Sequence, residues 1–69
     1  MDLRERIKSF PGSLRELARE ADVNHVTIMM IRDGITENPG VRTVGKIEGA
    51  LDRLAQAAAD AEAQRAVSP

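Results

Sequence analysis

The sequence predicts an all-α domain, a small helical bundle, from two observations. Across residues 13–34, Leu14, Leu17, Ala18 and Ala21 recur at helical spacing, and Ile28 and Ile31 resume it after a break. From Val44 onward, Val44, Ile47, Leu51, Leu54, Ala58 and Ala61 step by alternating threes and fours, a heptad-like seam. The 13–34 stretch is two short amphipathic helices joined by a tight turn, the outline of a helix-turn-helix whose second helix can lie in a DNA major groove.

Each element has a local reason. Asp2 and Glu5 have the spacing of a capping box, and Leu3, Ile7 and Phe10 form an apolar stripe, so a first helix is expected near 2–10. Pro11 and Gly12 end it. Ser13 and Glu16 repeat the capping box and open a second helix near 13–21. Asp22 tolerates the left-handed backbone of a sharp helix exit. Val23 can pin the turn to the core, and Asn24 caps a third helix near 24–33. Gly34 stops that helix, and a loop runs to Gly40.

A fourth, long helix is expected over 41–64, since neither Gly nor Pro occurs between Ala50 and Val67. Gly45 and Gly49 weaken it by about 1 kcal/mol each relative to Ala. Its first half carries large apolar residues for the core. Its second half is mostly Ala and runs past what four helices can cover, with fraying expected from residue 67. The chain therefore divides into a helix-turn-helix domain, 1–54, and an Ala-rich helical extension, 55–69.

Composition narrows the function. With 69 residues the core is small. No cysteine is present, so neither a disulfide nor a thiolate metal site adds stability, and the single His25 builds no metal cluster. Phe10 is the only aromatic, which argues against stacking on single-stranded bases. No apolar run reaches membrane-spanning length and no signal peptide opens the chain, so a soluble, cytoplasmic protein with no membrane partner is expected. No nucleophile–base pair is evident, so neither an enzyme nor a cofactor is expected. Ten Lys and Arg against eleven Asp and Glu give a net charge of −1, where nucleic-acid binders usually carry a basic excess. Residues 1–34 hold six of each sign, and residues 35–69 hold four basic against five acidic. Any DNA affinity must come from local placement of charge.

Leu17, Ala18, Ala21, Val23, Ile28, Ile31 and Gly34, then Asn38, Pro39, Val44, Ile47, Ala50 and Leu51, resemble in order and spacing the lambda-repressor and Cro-like DNA-binding domains. The resemblance spans about residues 3–54. It implies an all-helical bundle that binds operator DNA as a homodimer and regulates transcription, as in phages and bacteria. Two departures stand out. Asp22 replaces the Gly common at the turn. The reading face of the third helix is also apolar, with Val26, Met30 and Asp33 opposite Ile28 and Ile31, and Met29 beside them. Val and Met can contact thymine methyls but cannot make bidentate hydrogen bonds to guanine or adenine. Asp33 repels phosphate unless it reaches a cytosine amino group.

The expected function is that of a sequence-specific regulator of transcription binding double-stranded DNA, a phage repressor or Cro-like protein. His25, Val26, Met29 and Met30 are the candidates for base contact. Ser13, Arg15, Arg19, Thr27, Arg32, Asn38, Arg42 and Lys46 are the candidates for backbone contact. Arg15 and Arg19 lie four apart on one side of the second helix, with Glu16 and Glu20 on another. The plain alternative is that these charges are only solvated, and that Thr27 packs against the second helix. Small residues in the seam Leu51, Leu54, Ala58 and Ala61 suit close helix pairing in a homodimer. Two other functions stay open: an antitoxin-like regulator that binds DNA and a protein partner, and an interaction module that uses the Val26, Met29 and Met30 face without DNA.

Overall fold

The computed structural model describes the backbone of residues 2–67 and the side chains of residues 2–64. Four helices form in the order α1 (Leu3–Ser9), α2 (Leu14–Ala21), α3 (His25–Arg32) and α4 (Val41–Val67), with no strand among the described residues. The apolar periodicity converges on one core made of Ile7, Leu17, Ala18, Ala21, Ile28, Ile31, Ile47, Ala50 and Leu51. Leu3, Phe10, Leu14, Val23 and Leu54 pack around it, partly buried. No polar or charged side chain is buried among the described residues. Leu17, Ile28 and Ile47 are fully enclosed, and each contributes about 1.5–3 kcal/mol of burial free energy. α3 and α4 each pack on both α1 and α2, with the α2–α4 contact the most extensive and the α1–α4 contact the least.

Three arginines tie the helices together at the core's edge. Arg53 of α4 donates to the Glu20 carboxylate at 2.7 Å and to the Glu20 carbonyl at 3.0 Å. Arg6 of α1 donates to Asp52 at 2.6 Å and faces Glu48 at 4.0 Å. Arg4 donates to the Arg32 carbonyl at 3.0 Å, placing a cation at the C-terminus of α3, where the helix dipole favours it.

Three details differ from expectation. The capping box at residues 2–5 is not formed: Asp2 makes no side-chain cap and opens α1 through its carbonyl, which accepts from the Arg6 N–H at 3.0 Å. This two-turn helix is held instead by tertiary contacts. At the other end, α4 continues to Val67 rather than stopping near 64, as a run of strong helix-forming alanines favours. The expected fraying from residue 67 falls at the last helical residue, and residues 68–69 lie outside the described residues. Finally, Leu51 is only 5 % exposed and belongs to the chain's own core, so it has no face left for a dimer seam. Of the four seam residues, Leu54 is partly buried, whereas Ala58 and Ala61 are exposed.

Candidate nucleic-acid interface

The α2–turn–α3 unit is fixed at both ends by its own residues. The Ser13 hydroxyl oxygen accepts from the Glu16 N–H at 3.1 Å, capping α2. Asp22 takes the left-handed conformation, φ 57° and ψ 46°. Its N–H donates to the Arg19 carbonyl at 3.3 Å, and the Val23 N–H donates to the Ala18 carbonyl at 3.0 Å. This pair of bonds is the Schellman ending, and Val23 supplies the apolar contact that accompanies it. The Asn24 Oδ1 then accepts from the Val26 N–H at 2.9 Å and starts α3. The same ending closes α3, with Gly34 at φ 78°. There the Gly34 N–H donates to Ile31 and the Ile35 N–H to Met30.

On α3 the two faces separate sharply. Ile28 and Ile31 are 0 % and 4 % exposed, whereas Val26 is 48 % and Met29 and Met30 are each 37 % exposed. His25 and Thr27 are half-buried. Ile35, bonded through its backbone to Met30, and Val41 at the start of α4 are also exposed apolar residues, at 67 % and 92 %. Sequence reasoning missed both, because a loop residue and a first helical residue carry no periodicity signal.

Asp33 does not stand as a lone anion on this face. Arg32 donates to it through Nε at 2.9 Å and through a terminal nitrogen at 3.3 Å. Those hydrogen bonds hold the Asp33 carboxyl below its ordinary range and the Arg32 guanidinium above its own. Arg32 is therefore engaged within the chain rather than projecting freely.

Arg15, Arg19, Arg42 and Lys46 are exposed and make no hydrogen bond or ion pair among the described residues. Arg15 and Arg19 line an open concavity with Val23, Asn24, His25 and the acidic Asp22, so the structure brings them to the start of α3. Asn38 is elsewhere. It lines a separate groove with Leu3, Arg4, Thr36, Pro39 and Glu48, away from those two arginines. Ser13 is exposed, but its hydroxyl oxygen is committed to the cap. Pairing also redistributes the formal charge. Glu20, Asp33, Glu48 and Asp52 are matched by Arg53, Arg32 and Arg6, while Arg15 and Arg19, like Glu16 and Asp22 near them, are in no such ion pair among the described residues.

No group of metal-ligating side chains comes together among the described residues, and no helix there is long and apolar enough to cross a membrane. Comparison with family models, curated proteins and solved structures found no match to this chain.

Proposed function

We propose that the chain is a helix-turn-helix regulator of transcription that binds double-stranded DNA, with α3 in the major groove. One observation carries the reading: two unpaired arginines, Arg15 and Arg19, flank the start of a helix whose outer face is free and whose inner face is locked into the core. A helix about 10–12 Å across matches a major groove about 12 Å wide. Arg15 and Arg19 then lie against one phosphate strand, and Arg42 and Lys46 on α4 are the cations for the other side. The protein works in the cytoplasm as a homodimer, in the manner of a phage repressor or Cro-like protein, and needs no cofactor. Occupancy of an operator blocks or guides polymerase. The apolar outer face of α3 favours one second reading, an antitoxin-like regulator or interaction module that engages a protein through Val26, Met29 and Met30.

The test is a titration of the full chain against duplexes selected from a random pool, at several salt concentrations. A DNA binder shows log affinity falling linearly with log salt, with a slope set by the phosphates neutralised. Arg15→Ala and Arg19→Ala should each weaken binding to all sequences alike and flatten the slope by about one. Absence of binding at about 50 mM salt by the folded protein rejects the DNA reading and leaves the protein-partner one.

A further inference from the structure

The exposed strip of α3 is chemically one-sided. Val26, Met29 and Met30 end in methyl and thioether groups, and Ile35 extends the strip beyond the helix. The polar side chains at its C-terminal end, Arg32 and Asp33, are bonded to each other. The other polar side chains, exposed Asn24 and half-buried His25 and Thr27, all lie at the N-terminal turn, and the Asn24 Oδ1 is committed to its cap. Beyond that first turn, a groove-bound α3 has no unpaired polar side chain with which to match the hydrogen-bonding edges of guanine, adenine or cytosine. In the major groove, one base presents an apolar group: thymine, through its 5-methyl.

We infer that α3 reads its site through thymine 5-methyl groups, so that the preferred duplex carries thymines opposite Val26 and Met30 and is distinguished by shape and methyl contact rather than by bidentate hydrogen bonds. This rests on the DNA-binding reading above. The unpaired Arg15 and Arg19 beside the same helix supply the charge complementarity that selects a duplex over an apolar protein surface as occupant. The neutralised Asp33 removes the one group on the strip that opposes it.

The test uses a 20-base-pair duplex selected from a random pool and the same duplex with deoxyuridine in place of thymidine. The pairing edge is unchanged and only methyl groups are lost. Each buried methyl removed should weaken binding about fourfold, so two contacted thymines give roughly fifteenfold. Met30→Ala, with its fold checked by a cooperative thermal melt, should bind the two duplexes more nearly alike while keeping the parent's salt slope. Equal affinity of the parent protein for the thymine and uracil duplexes overturns the methyl inference and leaves DNA binding intact. Failure to bind either duplex at about 50 mM salt overturns both.

Discussion

At Asp22 the backbone sits at φ 57°, a region where a β-carbon meets the following carbonyl and costs roughly 1–2 kcal/mol. Asp carries that cost better than most residues, and the Schellman bonds around it oblige the chain to accept it. Asp22→Gly should therefore raise stability, by up to about 1 kcal/mol, whereas Asp22→Val should lower it by about 1–2 kcal/mol. Urea unfolding of the two variants beside the parent measures both signs. Asp33 carries a second residue-scale expectation. Its carboxyl titrates below the ordinary range because Arg32 donates to the ionised form. A depressed folded value means that the ionised pair stabilises the fold above the unfolded-state value, and that this stabilisation is lost as pH falls through the folded one. Both side chains are partly exposed, so solvent keeps the contribution small. An NMR titration should find Asp33 among the lower-titrating carboxyls, and Arg32→Ala should move it back up. An unmoved midpoint would show that the pair does not persist in solution.

Among the elements, α4 holds the clearest opportunity for stabilisation. A β-carbon at Gly45 meets nothing within 4 Å, while one at Gly49 comes within 3.2 Å of the Arg53 guanidinium. Gly45→Ala should therefore gain about 1 kcal/mol of helix propensity outright. Gly49→Ala should gain less, because Arg53 has to shift while keeping its bonds to Glu20. Thermal melts of the single variants, ordered Gly45→Ala above Gly49→Ala above parent, check this. The element scale is also where sequence was most informative. Ser13, Asp22, Asn24 and Gly34 marked the boundaries of α2 and α3 because capping and left-handed exits are local chemistry. Asp2 had the same spacing and formed no side-chain cap, since a pattern of residue types does not fix where a carboxylate points. The arginine ties were illegible for another reason: Arg6 and Asp52 are 46 positions apart, and Arg53 and Glu20 are 33 apart. Only the packed bundle brings them together. For the candidate site, the apolar face of α3 was readable from its period, but the contrast between engaged Arg32 and unpaired Arg15 and Arg19 needed the fold.

The whole molecule is longer than its core requires. Its radius of gyration is 13.4 Å, against about 11 Å for a compact chain of this length, and its extents are 47 × 19 × 18 Å. The difference lies in α4, where 27 residues span about 40 Å and every described side chain from residue 55 to 64 is exposed. The homodimer proposed above uses that overhang, and the burial pattern decides which residue tests it. Leu51 is core, and Leu54 packs partly against the core, so a charge at either would unfold the monomer as well as split a dimer. Ala61 is exposed in the single chain. Ala61→Asp there costs the monomer only helix propensity, of the order of 0.5 kcal/mol. In a close helix pair the same change buries an unpaired carboxylate and costs several times more. Sedimentation should show the parent at twice the chain mass and Ala61→Asp at the chain mass, with the cooperative melt of the variant retained. On DNA, the variant should lose affinity for a duplex carrying two half-sites and keep its weak binding to one. A variant that still sediments as a dimer would exclude the Ala-rich face of α4 as the contact.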